Sequence, residues 1–301
     1  MLTNKSVEQK PSETALFAAL RRTIANKEYG DEKFGPDDLA EYFLPAHFRF
    51  FLRFTTIREN TKNKLNDALP GLNEYMIART AYFDRLFMDG LNNEIRQIVL
   101  LGAGYDTRAY RFNQSNRGSK IFELDISPTQ DRKKVCLQKA RIDIPQHVRF
   151  VPINFKEESL KDVLEQAGFK DHEKTLFLWE GVSYYLEAES VDATLNFVSH
   201  TSHQENTIAF DYTISLSEEN LNEYYGVREF AQTMKEHHSN EELMFSINEG
   251  KTESYLEQRG LKMLNHLDNE EIERTFLVRD DGTSLGQITG HFRFVSASPK
   301  S

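Results

Sequence analysis

Apolar positions follow two rhythms along the chain. From Ser12 to about Asp89 they recur at helical spacing. Leu16, Phe17 and Leu20 follow Ser12, whose hydroxyl suits it to cap a first helix running through Arg22 or a little beyond. Residues 27–36, with Gly30, Gly35 and Pro36, read as a loop. A second helix is predicted over 37–43, interrupted by Leu44 and Pro45. An aromatic run over 48–54, a polar break over 59–66 and a long helix from about 72 to 88, introduced by Pro70 and Gly71, complete this half.

Beyond Asp89 short apolar runs alternate with amphipathic stretches. Strands are predicted at 97–101, 120–125, 148–153, 174–179 and 206–212, and helices at 128–140, 160–166 with Gly168 as the stop, 189–200 and 218–237. A last pair of strands is predicted at 276–278 and 290–296. Strand alternating with helix implies a doubly wound α/β fold with a mostly parallel sheet covered on both faces. The expected division is an N-terminal helical cap over 1–89, part of the same domain, and an α/β portion over 90–301. In such sheets ligands bind at the carboxyl ends of the strands, so strand-end residues are the first site candidates.

Composition narrows the classes. The chain has 301 residues and a formal net charge of -10, which argues against a nucleic-acid partner, because a phosphate-binding surface needs clustered Lys and Arg. The single cysteine, Cys136 on a predicted helix, excludes a disulfide framework and a multi-thiolate zinc site, and points to a reducing, cytoplasmic setting. No apolar run of about 18 residues exists and the first residues have no signal-peptide core, so neither a membrane span nor a membrane partner is expected. The first ten residues are expected to be loose. His200 with His203, and the pair His237-His238, lack the thiols or the His-Glu-x-x-His spacing of a metal site, and no metal is expected.

Three strand ends carry chemistry. Gly102-Ala103-Gly104-Tyr105-Asp106-Thr107-Arg108 directly follows the first buried strand, where glycines let backbone approach a ligand. A tight ligand-free turn fits the same residues, and the dinucleotide fingerprint wants a third small residue where Thr107 stands. Asp125 ends the second strand, 21 residues after Gly104, where an acid can accept hydrogen bonds from both ribose hydroxyls. Glu123 shares its strand face, so one of the two acids is the ribose candidate and the other a support for the glycine loop or a solvated acid. Glu180 follows the strand ending in Trp179 and precedes Gly181; it suits a cationic amino group, or the start of a helix.

These strings resemble the leucine carboxyl methyltransferase-like family of S-adenosylmethionine-dependent enzymes, in its bacterial, polyketide-type O-methyltransferase branch. The resemblance rests on Val99 to Arg111 around the glycine motif, Phe122-Glu123-Leu124-Asp125, Trp179-Glu180-Gly181-Val182 with Tyr185-Leu186, and less specifically Ser12-Glu13-Thr14-Ala15 and Ala78-Arg79-Thr80. It spans about residues 12–212. It implies a class I methyltransferase fold with a seven-stranded Rossmann-like sheet and a helical lid. It also implies that Arg79 pairs with the methionine carboxylate of the cofactor, that Gly102 lines the loop beneath its methionine part, with Ala103 and Gly104 among the cofactor-binding residues, that Asp125 holds the ribose and that Glu180 lies near its amino-acid end. Where the family often has Asp-Leu beside the adenine this chain has Asn154-Phe155; an amide oxygen can still accept from the adenine amino group, and the phenyl ring can pack on the base.

The implied reaction is in-line transfer of a sulfonium methyl group to an oxygen of a small molecule. A carboxylate acceptor is already ionised near neutral pH, whereas a hydroxyl or phenol needs a base. Tyr184, Tyr185, His47 and His203 are the candidates, although the tyrosines also suit an amphipathic wall and His203 a surface loop. Phe43, Phe48, Phe50, Phe51 and Phe54 are candidates for an apolar lid or for core packing of the cap. Two rival readings stay open, a nicotinamide-dependent oxidoreductase and a non-enzymatic binding module on the same scaffold.

Overall fold

The computed structural model describes residues 10–30, 33–218, 221–237 and 243–300. Residues 1–9, at the expected loose start, and His238 lie outside them, as do residues 219–220 of the helix expected from Glu218. The elements in chain order are α1 (Glu13–Tyr29), α2 (Ala46–Phe51), α3 (Thr55–Ala68), α4 (Leu72–Asn92), β1 (Gln97–Leu101), α5 (Arg108–Arg111), β2 (Lys120–Asp125), α6 (Ser127–Ala140) and β3 (Val148–Pro152). There follow α7 (Leu160–Gln166), β4 (Thr175–Trp179), α8 (Ala188–Ser199), β5 (Thr207–Thr213), α9 (Val227–His237), α10 (Thr252–Glu257), β6 (Leu261–Leu267), α11 (Asn269–Phe276) and β7 (Phe292–Pro299).

The seven strands form one sheet in the order β3-β2-β1-β4-β5-β7-β6. The first five are parallel, and β7 enters antiparallel between β5 and β6. The strand order reverses beside β1, between β1 and β4, which opens a crevice at their carboxyl ends. The run Ile98-Val99-Leu100-Leu101 is apolar throughout because both faces are covered. Ile98 and Leu100 belong to the core shared with Phe83 and Phe87 of α4, and Val99 and Leu101 to the core shared with Phe177 and Trp179. Ser12 caps α1, its hydroxyl accepting the Ala15 amide at 3.0 Å, and Gly30 ends the helix in the left-handed conformation.

Several sequence expectations need correction. Of the helix expected over 218–237, only Val227–His237 is helical among the described residues, since Gly226 takes φ of 71° just before it. The polar break over 59–66 is helical, inside α3, which buries no residue. Its helix has no apolar stripe, so hydrophobic periodicity could not reveal it. Residues 276–278 form no strand: Phe276 ends α11, and Val278 makes only an isolated bridge to Ser284. The missing strand is β6, an edge strand whose mixed sequence Lys262-Met263-Leu264-Asn265-His266 reflects its largely half-exposed, outermost place. Among the described residues no helix is long and apolar enough to cross a membrane.

Candidate functional site

A cavity of about 770 Å³ lies over the carboxyl ends of β1, β2 and β4, between the sheet and helices α1, α4 and α9. Its floor is the turn after β1. Gly102 and Gly104 adopt φ values of 69° and 44°, and the Ala103 amide donates to the Leu124 carbonyl at 2.7 Å. A Cβ on Gly102 would stand 2.4 Å from Val182, and one on Gly104 3.1 Å from Ala15 of α1. These positions therefore need glycine for both conformation and room. Asp125 secures the turn: one carboxylate oxygen accepts the Gly104 amide at 2.6 Å and the other the Ile126 amide at 2.7 Å. Burial pushes its pKa up, while those amides oppose the shift.

At the other end of the cavity α4 delivers Arg79. Its Nε donates to Glu180 at 3.0 Å, and its Nη1 donates to the Tyr184 hydroxyl at 3.2 Å and lies 3.5 Å from Asp211. Burial opposes the guanidinium charge, but Tyr184, Glu180, Tyr75 and Asp211 around it hold its pKa well above the ordinary value. Asp211, fully buried in β5, accepts from the Tyr75 hydroxyl and from the Gly181 amide, the latter at 2.7 Å. It thereby fixes the turn that presents Glu180. Gly181 has φ of 72°, and a Cβ there would meet Arg79 Nη1 at 2.8 Å. Burial, and next Asp211, push the Tyr184 hydroxyl well above its usual range, so it keeps its proton at neutral pH.

A second guanidinium layer lies behind. Arg108 donates to Glu180 at 2.7 Å and to Asp84 at 2.7 Å, and pairs with Asp106. Arg111 makes a two-pronged pair with Asp84, at 2.8 and 2.7 Å. Arg22 joins Asp37 at 2.8 Å and the Tyr105 carbonyl at 2.8 Å, tying α1 to the glycine turn. Glu180 is thus gripped by two arginines from elements far apart in sequence, one oxygen each, a geometry that fixes the carboxylate plane.

Most of the residues singled out from sequence line this cavity: Arg79, Gly102, Ala103, Gly104, Asp125, Asn154, Phe155, Glu180, Tyr184 and Tyr185. Glu123 does not. Both it and its partner Lys133 are 1% exposed and lie 2.7 Å apart, so it is neither a solvated acid nor a wall of the cavity. It ties β2 to α6. The Asn154 side-chain oxygen accepts the Lys156 backbone amide at 3.1 Å, and the Asn154 backbone amide donates to Glu158 at 2.8 Å, which sets the turn at this end. His47 is exposed on α2, and His203 sits in the loop before β5, at the opposite end of the strand from the cavity. Phe43 is buried and stacks on Tyr105, whereas Phe48, Phe50, Phe51 and Phe54 are about half exposed and line no part of the cavity. They are neither lid nor core. Asp211, Asp84, Arg108 and Arg111 were missed as site residues. An acid inside the apolar run Ile208–Tyr212 was the available signal for Asp211, since a buried charge demands a partner.

A five-strand parallel sheet continued by an antiparallel pair in this order, with a glycine turn after β1 and an acid ending β2, defines a class I methyltransferase fold. It is shared with a Thermobifida fusca protein provisionally named a methyltransferase, at a TM-score of 0.58 and 13% identity over 97% of this chain and 96% of that one. A Streptomyces avermitilis protein matches with a TM-score of 0.59 and 11% identity over 97% and 99%. Within that class the chain belongs to the leucine carboxyl methyltransferase family, which it matches over residues 15–199. A Bacillus subtilis relative, provisionally named an S-adenosyl-L-methionine-dependent methyltransferase, is 32% identical over 204 residues, 66% of this chain and 65% of the relative's length. A similarly named Mycobacterium bovis protein is 28% identical over 229 residues, 74% of this chain and 71% of that one.

Proposed function

We propose that the protein is an S-adenosylmethionine-dependent methyltransferase acting on an oxygen of a small-molecule acceptor, a carboxylate in preference to a hydroxyl. The observation that carries this reading is the pairing of Arg79 and Glu180 at one end of a single cavity with Asp125 at the other. A guanidinium beside a carboxylate complements an amino acid's zwitterion, and a strand-end acid complements a ribose diol. The turn between them carries no side chain of its own at Gly102 or Gly104, both of which line the cavity. Bound S-adenosylmethionine supplies an electrophilic methyl group on a sulfonium. In this reading Arg79 holds the carboxylate, Glu180 the amino group, Asp125 the ribose, and Asn154 and Phe155 the adenine. Residues 1–89 serve as the cap and 90–301 as the cofactor-binding portion. A cavity of about 770 Å³ stands in the upper part of the ligand-pocket range of about 300–1,000 Å³, which suits two ligands side by side.

The preference for a carboxylate acceptor follows from proton chemistry. Among the described residues no histidine lines the cavity, and Tyr184 is held protonated by burial and Asp211, which leaves Tyr185 as the base candidate should the acceptor be a hydroxyl. A hydroxyl acceptor would need a base, whereas a carboxylate needs positioning and exclusion of water. A dinucleotide fits the same turn poorly. The Arg108 amide that would face a phosphate at the start of α5 already donates to Asp106 at 2.7 Å, and that carboxylate would repel the phosphate.

Calorimetric titration of S-adenosylmethionine and S-adenosylhomocysteine into the protein tests the cofactor. Both are expected to bind, and Asp125→Asn, which leaves one acceptor oxygen for two ribose hydroxyls, is expected to weaken them by about tenfold or more. Folded protein that binds neither would remove the proposal. Turnover of a carboxylic acid panel with methyl-labelled cofactor then separates an enzyme from a binding module, and base-labile label distinguishes esters from ethers.

A further inference from the structure

Helices α2 and α3 carry a surface that the site does not use. Phe48, Phe50, Phe51 and Phe54 are 46%, 53%, 48% and 50% exposed, and Ile57 40%. Neither helix buries a single residue. Three of the rings cluster, Phe50 meeting Phe51 and Phe54 edge-on at 5.7 and 5.5 Å, and Phe48 packs on His47 within one turn of Phe50 and Phe51 along the same helix. Such a group of large apolar side chains in water marks a contact surface. Arg49, Arg53 and Arg58 are interleaved with the rings, and no acidic residue occurs between Glu41 and Glu59, in a chain whose net charge is -10. Among the described residues none of the three arginines is ion-paired: Arg49 lies over the Tyr42 ring, and Arg58 donates to the Leu52 carbonyl.

We propose that the α2–α3 knob docks the protein peripherally on an anionic lipid surface, its phenylalanines entering the headgroup boundary and its arginines meeting lipid phosphates. Half-exposed aromatic rings beside unpaired cations are the combination that interfacial binding rewards, through buried apolar area and attraction to anionic headgroups. A second copy fits worse, since a two-fold contact would set three arginines against three like charges. The acidic remainder is repelled by the same surface, so the knob sets the orientation. This contact is peripheral and differs from the spanning helix that the sequence excludes. It also departs from the expectation of no membrane partner, because hydropathy along the chain does not register a short surface cluster. The base of the knob abuts the cavity wall, as Phe43, three residues before α2, stacks on Tyr105 of the glycine turn at 5.0 Å.

The test is vesicle binding by the full chain. Phe50→Trp provides a reporter, since the native Trp179 is fully buried and contributes a constant background. Vesicles of phosphatidylcholine with about one third phosphatidylglycerol are expected to shift its emission to the blue and to carry the protein down on sedimentation. Phosphatidylcholine alone is expected to bind at least about tenfold less, and about 0.5 M salt to release the protein, as the screening length falls to a few ångströms. Replacing the four phenylalanines with serine, and separately the three arginines with glutamate, is expected to lower binding by about tenfold or more. Melting temperature and S-adenosylmethionine affinity are expected to stay unchanged, which separates loss of docking from misfolding and from failure of the methyltransferase reading. Absence of binding by folded protein, equal binding to neutral and anionic vesicles, or a dimer in light scattering that the serine variant dissolves would each overturn the proposal.

Discussion

Arg79→Ala separates what the guanidinium does for the fold from what it does for the ligand. Arg79 lies 3.0 Å from Glu180 and 3.5 Å from Asp211, and its side chain is only 8% exposed. At an effective dielectric constant of about 20, unit charges 3 Å apart attract by about 5 kcal/mol, much of which is offset by the cost of desolvating them. Removing Arg79 leaves Glu180 with Arg108 but strips the fully buried Asp211 of its cation, and stranding a buried charge costs roughly 3–5 kcal/mol. For a chain of this size, at about 2 °C per kcal/mol, the ligand-free melting temperature is expected to fall by roughly 6–10 °C. Loss of a charge-assisted contact to the cofactor carboxylate, worth about 1.5–3 kcal/mol, is expected to weaken S-adenosylmethionine by about 10- to 150-fold. Calorimetry well below both melting temperatures reads the affinity independently of stability. Arg79→Lys keeps a cation between the two carboxylates but loses the planar fork. Its melting temperature is expected nearer the wild type, with affinity still about tenfold down. Arg79→Ala that melts like the wild type would refute the buried-pair argument, and Arg79→Ala that binds the cofactor at full strength would refute the assigned role.

Two further outcomes follow from groups away from the cavity. Glu123→Gln and Lys133→Met are each expected to cost roughly 3–5 kcal/mol in urea denaturation, because each strands a fully buried charge; the double variant Glu123→Gln with Lys133→Met is expected to cost less than the sum, and independent, additive effects would contradict the pairing. His291 is buried between Phe230 and Phe292, and burial, with Arg293 nearby, lowers its pKa to about 3. It stays neutral in the fold while the unfolded chain takes up a proton below about pH 6.5. Stability is therefore lost as pH falls from about 6.5 toward 3, by up to about 1.4 kcal/mol per pH unit. His291→Leu removes this loss, so the stability gap between wild type and variant is expected to shift in the variant's favour by about 1.6 kcal/mol between pH 6.5 and 5. A gap that does not vary with pH would show that the histidine takes up its proton in the fold as readily as in the unfolded chain, and would refute the lowered pKa.

The parallel strands, the glycine turn after β1, the acid that ends β2 and the acid that follows β4 were all legible along the chain. Each is a local signal: a short apolar run covered on both faces, glycines where the backbone must take positive φ, and a carboxylate at a strand end. Those signals placed Gly102, Gly104, Asp125 and Glu180 on one rim because a parallel sheet brings its carboxyl ends together. Local signals did not distinguish Glu123 from Asp125. The pleat puts both on one face, but Lys133 of α6 closes over the first and leaves the second open to the cavity. Nor did they disclose β6, whose outermost place removes the apolar pattern, or the exposure of the aromatic run, since a phenylalanine looks the same in sequence whether packed or bare. Tertiary structure alone decided the arginine–carboxylate network. Arg79 and Glu180 are 101 residues apart, and Tyr75 and Asp211 136. Partners at such separations are selected by how α4 lies across the sheet. The charges are then held there because, once out of water, each is stable only where the fold supplies its counterpart.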